Sequence, residues 1–232
     1  MLYSGGGSSG AWSWLFIMIV PIAIGWATRS WVNSQYRRFS GVPIESGLSG
    51  VEAARKVLDF EGLQNVTIEQ IPGELTDHFD PRANVLRLSK SVFEGRSIAS
   101  AGVAAHEAGH AIQHARRFVF AGVRTALVPA ANIGSQAAPF LIILGIVLRF
   151  TGLAWLGIIV YSAAVLFQIV TLPVELDASR RALATLGPAG VVSDAELPGA
   201  RSVLTAAAMT YVAAALISVI YLLYYIGLAR RN

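Results

Sequence analysis

The sequence contains no cysteine and few charged residues. Asp, Glu, Lys and Arg make up 14% of its 232 residues, whereas soluble domains carry roughly 25%. The lack of cysteine excludes disulfides, cysteine-ligated zinc, iron–sulfur clusters and thiol nucleophiles. Hydrophobic residues account for 54% of the chain, and the mean hydropathy is +0.57. This composition argues against a water-soluble globule and indicates an integral membrane protein.

Four apolar segments predict about four transmembrane helices. The first covers residues 11–27. The other three, residues 125–148, 152–174 and 202–228, each exceed the roughly 20 residues that cross a hydrocarbon core of about 30 Å. A link of only three residues joins the second and third segments, which predicts a helical hairpin that returns the chain to the side it left.

Basic residues set the predicted orientation. Lys and Arg concentrate in residues 29–124 and 180–201, which the positive-inside rule places in the cytoplasm. Arg230 and Arg231 fall on the opposite side in this arrangement. We therefore predict a protein of a prokaryotic inner or plasma membrane, with the lipid bilayer as one partner. The net charge of +4 fits basic cytoplasmic flanks, and we expect no nucleic-acid partner.

These segments divide the chain into five predicted parts. The first span is interpreted as an uncleaved anchor, because no basic n-region precedes it and no small-residue cleavage site follows it. The parts are an N-terminal anchor helix with its flank (1–39), a soluble block (40–118), a transmembrane hairpin (119–174), a second cytoplasmic segment (175–201) and a C-terminal transmembrane helix (202–232).

Local signals predict a small α+β domain in the soluble block. Ser49 and Glu52 form a capping-box pattern that opens a helix. Alternating apolar residues and a turn sequence are typical of strands and a hairpin. The predicted elements are a helix over 51–60, a strand over 65–71, a hairpin over 75–89 and a helix over 98–118. The predicted fold class is mainly α, with about four transmembrane helices and a small α+β domain at the membrane face.

The last of these helices carries a metal-binding pattern. Residues 106–110 read His-Glu-Ala-Gly-His and match H-E-x-x-H. Residues four apart lie on one helical face with Cβ atoms roughly 5–6 Å apart, so His106 and His110 can bind one Zn²⁺ ion at about 2.0–2.1 Å. Glu107 borders the open coordination position and can take a proton from zinc-activated water. The pattern therefore predicts a catalytic zinc site. It makes the soluble block (40–118) the predicted catalytic block and its small α+β domain a predicted zinc-metalloprotease domain.

Zinc needs a third protein ligand, for which several candidates exist. The metzincin extension of the motif is absent, and His114 lies about a turn away from the histidine pair. Glu175 follows Pro173 at the predicted start of a helix, and the hairpin returns it to the membrane surface of the histidines. It is therefore the preferred third ligand, although an acid here could instead cap that helix. Asp177 is the second candidate, on the opposite helical face.

Three blocks of sequence carry a family resemblance: DHFDPRANVLRLS, GRSIASAGVAAHEAGHAIQHA and LPVELDASRRAL. Together with the layout of spans, they resemble the membrane zinc metallopeptidases of the YugP type, from about Ser49 to the last span. That family is similar in plan to the HtpX-like and CAAX-prenyl-protease-like membrane gluzincins. The resemblance implies a catalytic Glu107. It also implies that His106, His110 and Glu175 are the ligands of one Zn²⁺ ion.

One position departs from the wider group. An aspartate usually stands four residues after the glutamate ligand and is available to orient a ligand histidine. Ser179 occupies that position here, with Asp177 nearby. A partner for the ligand histidines is still expected, but its identity is open.

These residues predict a membrane-embedded zinc-dependent endopeptidase at the cytoplasmic face. It would hydrolyse peptide bonds of a polypeptide substrate, including membrane-associated ones, with Glu107 as general base. The alternative is a catalytically inactive zinc-binding membrane scaffold, against which the intact Glu107 argues. A transporter is disfavoured because the spans lack the charged residues of such pathways.

Residues outside the motif are candidates for handling the substrate. His78 is a candidate second electrophile, and Arg180 or Arg181 is another. Alternatively, neighbouring aspartates satisfy His78, and the arginines form a basic stop at the membrane face. Residues 85–88 are the preferred edge for an added peptide strand, unless the hairpin only covers the active helix.

Overall fold

The computed structural model describes the backbone of residues 7–230 and the side chains of residues 17–230. Parts of the predicted anchor (1–39) and of the predicted C-terminal segment (202–232), Arg231 included, lie outside the described residues. The elements are, in order, α1 (Gly7–Ser40), α2 (Gly50–Phe60), β1 (Thr67–Ile71), β2 (His78–Asp80), β3 (Val85–Ser89), α3 (Lys90–Phe93), α4 (Ile98–Ala115), α5 (Val119–Val147), α6 (Thr151–Leu186) and α7 (Leu197–Ala229). The prediction of a mainly helical chain with a small sheet is confirmed.

Three helices, α5, α6 and α7, are long and apolar enough to cross a membrane. They coincide with three of the four predicted spans. The first predicted span, residues 11–27, lies within α1. Its first side chains fall outside those the structure describes, so a membrane crossing there stays a prediction.

The described residues form two compact units. One comprises the residues up to Arg29, Arg124–Val170 and the residues from Thr210 onward. The other comprises Ser30–Val123 and Thr171–Met209, and it contains the H-E-x-x-H motif.

In the first unit, α5 and α6 form the predicted helical hairpin. Arg149, in the turn that joins them, has a positive φ of 53°. A Cβ atom at Gly134 would lie 2.5 Å from the Val160 carbonyl oxygen, and one at Gly145 would meet the backbone of Ala154 even more closely. Because residues earlier in α5 meet residues later in α6, the two helices are antiparallel. Small residues permit this close packing, as is common between membrane helices.

In the second unit, the small sheet has the strand order β1-β3-β2. β3 pairs in parallel with β1 and antiparallel with β2. The predicted hairpin is therefore confirmed, but the predicted edge at residues 85–88 is wrong. These residues lie in the central strand, because Leu86 and Leu88 are fully buried and both sides of β3 are already paired. An added peptide strand could pair only with β1 or β2.

The helices around this sheet begin where the sequence predicts. Ser49 and Glu52 form the capping box of α2, with the Ser49 backbone nitrogen donating to Glu52 Oε2 at 2.7 Å. Ser97 caps α4 by accepting from the Ser100 backbone nitrogen at 3.1 Å. α4 ends at Ala115 rather than at the predicted residue 118.

α6 differs from the prediction at Pro173. The sequence predicts a new helix that begins after this proline, but α6 continues through it from Thr151 to Leu186. Proline removes one backbone donor and disfavours a helix interior without forbidding it, and apolar helices often tolerate it. Glu175 therefore lies deep inside a helix, and a role as N-terminal cap is excluded.

Candidate metal centre

The second unit brings the two motif histidines of α4 together with Glu175 of α6. Glu175 Oε2 lies 3.3 Å from His106 Nε2 and 3.5 Å from His110 Nε2. One donor atom from each of the three residues lies within 4.8 Å of the others. Glu175 is only 2% exposed. The preferred third candidate ligand thus meets both histidines, although it follows them by more than sixty positions.

The distances from Glu175 to the two histidines fit a zinc ion. In a tetrahedral site with metal–ligand bonds of about 2.0–2.1 Å, neighbouring ligand atoms are separated by about 3.3–3.4 Å. The two distances from Glu175 Oε2 to the histidine nitrogens agree with this spacing. Two imidazoles and one carboxylate are also a donor set of catalytic zinc sites, which keep a fourth position open. The residues present can therefore hold one Zn²⁺ ion.

The electrostatics of the cluster favour a cation. Burial by itself lowers the pKa of His110, but the hydrogen bond to Glu175 and the negative charges of Glu107 and Glu175 outweigh this effect. As a result, the pKa of His110 is raised above its usual value. The same two carboxylates would attract a divalent metal ion to the imidazole nitrogens.

Gln113 determines which nitrogen of His110 faces the metal position. Its side-chain nitrogen donates to the Val174 carbonyl at 2.7 Å and to Asp177 Oδ2 at 3.0 Å. Because both of these partners can only accept, the amide oxygen must face His110 Nδ1, which lies 3.1 Å away. His110 Nδ1 therefore donates, and in the neutral ring Nε2 keeps a lone pair that is available to a metal ion. Gln113 is 1% exposed, so this arrangement is buried.

Ser179 is the corresponding neighbour of His106. Its hydroxyl lies 3.1 Å from His106 Nδ1, so a serine stands beside the ring where the wider group has an aspartate. Asp177, the second candidate ligand, does not join the donor cluster. It accepts instead from Gln113 and, at 2.5 Å, from Arg181 Nε. The partners of the two histidines at Nδ1 are thus a hydroxyl for His106 and an amide for His110.

Gly109 sets the separation of α4 and α6. A Cβ atom at this position would lie 2.5 Å from the Ala178 carbonyl oxygen, which belongs to the backbone and cannot rotate away. Ala178 is fully buried. Sequence reasoning missed this role, although a glycine inside an alanine-rich helix is a usable signal of close packing.

Glu107 is mostly buried, with 9% of its surface exposed. Among the described residues, its side chain has no hydrogen bond or ion pair, and no fully buried side-chain nitrogen or oxygen lacks a partner. Its carboxylate oxygens must therefore retain some contact with solvent. A carboxylate next to His106 with access to water is suited to accept a proton.

The remaining histidines lie outside the donor cluster. His78 is exposed at the start of β2, and its Nδ1 lies 2.8 Å from the Thr76 carbonyl oxygen. The hydrogen-bond partner of this nitrogen is therefore a backbone carbonyl and not an aspartate. His114 is exposed, with its ring centroid 5.8 Å from that of Phe79. Arg181 is paired with Asp177, whereas Arg180 is exposed.

Two comparisons with known proteins match most of the chain. The family model described as "Putative neutral zinc metallopeptidase" matches residues 14–230. A protein of Bacillus subtilis (strain 168), named "Putative membrane protease YugP", is 44% identical over 215 residues, which cover 91% of this chain and 95% of that protein. No solved structure matches the chain significantly.

We expect Gly109→Ala to push α4 away from α6, because the added methyl group would meet backbone. The substitution should cost about 1–3 kcal/mol of stability and weaken zinc retention. Thermal unfolding and zinc content of the full-length protein in detergent measure both effects. Gly122→Ala is the matched control, since a Cβ atom there meets no atom within 4 Å. Equal zinc retention in the two variants would contradict the role given to Gly109.

We expect Gln113→Leu to lower zinc affinity by about 10–100-fold, the usual effect of losing a residue that orients a ligand histidine. The leucine has a similar volume but cannot accept a hydrogen bond from His110 Nδ1. Competition with a calibrated chelator measures the affinity. Gln64→Leu, at an exposed position, is the control. A folded Gln113→Leu protein with wild-type zinc affinity would show that the amide does not orient His110.

Proposed function

Since the chain belongs to the neutral zinc metallopeptidase family, we propose that it is a membrane-embedded zinc-dependent endopeptidase. The observation that carries the proposal is the approach of Glu175 Oε2 to within 3.5 Å of both motif histidines. This approach completes a His₂Glu donor set beside Glu107, which is the constellation that hydrolytic zinc enzymes use.

Each residue has a defined chemical task in this proposal. A Zn²⁺ ion held by His106, His110 and Glu175 would acidify a water molecule and polarise the scissile carbonyl. Glu107 accepts a proton from the attacking water and donates it to the leaving amine when the C–N bond breaks. Gln113 keeps the proton of His110 on Nδ1, away from the metal-facing nitrogen, and Ser179 is placed to do the same for His106.

His78 remains a candidate second electrophile with a restriction. Its Nδ1 faces a backbone carbonyl, which can only accept, so Nδ1 carries a proton. Nε2 of the neutral ring then has no proton to donate. His78 can therefore stabilise a developing oxyanion only in its doubly protonated form.

The cellular setting is part of the proposal. Three apolar helices and a relative named as a membrane protease support an inner or plasma membrane. The distribution of Lys and Arg supports a cytoplasmic active site. The proposed partners are the bilayer and polypeptide substrates, including membrane proteins, and no nucleic acid. An extended substrate could add to the sheet at β1 or β2.

The decisive experiment compares wild type with Glu107→Gln and Glu175→Gln. Wild type should contain one zinc ion per chain and cleave unfolded or membrane-derived peptides. Glu107→Gln should keep the metal and lose at least about 100-fold in rate, because general-base catalysis contributes that much. Glu175→Gln should lose the metal. Zinc content and peptide cleavage are measured on each protein, before and after removal and return of zinc.

Glu94→Gln is the control for the loss of one exposed carboxylate. If wild type and Glu107→Gln both bind zinc and neither cleaves any substrate, the protein is a zinc-binding scaffold instead. If wild type binds no metal, the proposal is wrong altogether.

A further inference from the structure

A groove of about 420 Å³ lies between the end of α6 and the start of α7 within the second unit. Its apolar lining is contributed by both helices and includes Leu176, Leu183, Leu204 and Met209. Arg180 and Arg201 line the same groove. A ligand that is both apolar and anionic would complement this hydrocarbon surface and its two guanidinium groups.

The two arginines carry charge that no residue described by the structure neutralises. Both are exposed, and neither forms an ion pair or hydrogen bond with another described residue. No acidic residue is among those that line the groove. The adjacent Arg181 differs, because it is paired with Asp177. Guanidinium groups bind phosphate oxygens in bidentate geometry, so a phosphate group fits this pair.

The positions of the arginines relative to the apolar runs favour a lipid over a soluble anion. Arg180 follows the apolar run 152–174 by six residues, and Arg201 immediately precedes the run 202–228. Cationic side chains at the ends of membrane spans lie at the depth of lipid headgroups. A soluble anion would make no favourable contact with the leucines and the methionine beside the arginines.

We propose that this groove binds an anionic phospholipid. Arg180 and Arg201 contact its phosphate-containing headgroup, and the apolar side chains contact the first carbons of an acyl chain. The groove also borders the metal centre, because Ser179 lines it and contacts His106. The inference depends on membrane insertion of the chain but not on peptidase activity, so it can fail or succeed independently of the proposed reaction.

Lipid binding to the full-length protein in detergent tests the proposal. Native mass spectrometry compares phosphatidylglycerol with phosphatidylcholine of the same acyl chains. We expect wild type to prefer phosphatidylglycerol. Arg180→Gln combined with Arg201→Gln should lower the affinity for phosphatidylglycerol by about thirtyfold and leave that for phosphatidylcholine unchanged. Arg82→Gln combined with Arg117→Gln removes the same charge from exposed positions outside the groove and should keep the preference.

Three results would overturn the proposal. The groove variant could bind phosphatidylglycerol as tightly as wild type does. Inorganic phosphate could displace the lipid at similar affinity, which would identify a site for soluble anions. An acidic peptide could displace it more effectively, which would identify a peptide groove. Should the double variant unfold, each single substitution gives the same test, with an expected loss of about fivefold.

Discussion

The close approach of α4 and α6 at Gly109 and Ala178 is the constraint on which the candidate centre depends. The backbones meet there because Gly109 has no side chain. Glu175 lies one helical turn before Ala178, and this position brings its carboxylate to the two imidazoles. Ser179, the next residue after Ala178, reaches His106 from the same turn. A wider separation of the helices would remove the third donor and the partner of His106 together.

The two histidines have different partners, and the difference has chemical consequences. A neutral hydroxyl faces His106, and a neutral amide faces His110. The carboxylate of Asp177 affects His110 only indirectly, because it accepts a hydrogen bond from Gln113 rather than from a histidine. Neutral partners orient an imidazole but raise its basicity less than a carboxylate does. The donor set therefore has its negative charge concentrated on Glu175, with Glu107 beside it.

The continuity of α6 links several of these features. Because Pro173 does not end the helix, the same helix carries an apolar segment, the third candidate donor, Ser179 and Arg180. Glu175 and Ser179 lie on the side of α6 that faces the histidines. Arg180 lines the groove between α6 and α7. The candidate metal centre and the proposed lipid site thus use adjacent residues of the same helix.

The sequence by itself determined the features that depend on local spacing. These are the pairing of His106 with His110 on one helix face, the apolar lengths of α5, α6 and α7, the hairpin turn at Arg149 and the capping box at Ser49. Only the tertiary structure decided that β3 is central, that α6 continues through Pro173, and that Gly109, Gln113 and Ser179 serve the centre. The roles of these last three residues depend on contacts between α4 and α6, whose contributing residues are more than sixty positions apart. Local periodicity carries no information about such an approach, because it follows from the packing of whole helices.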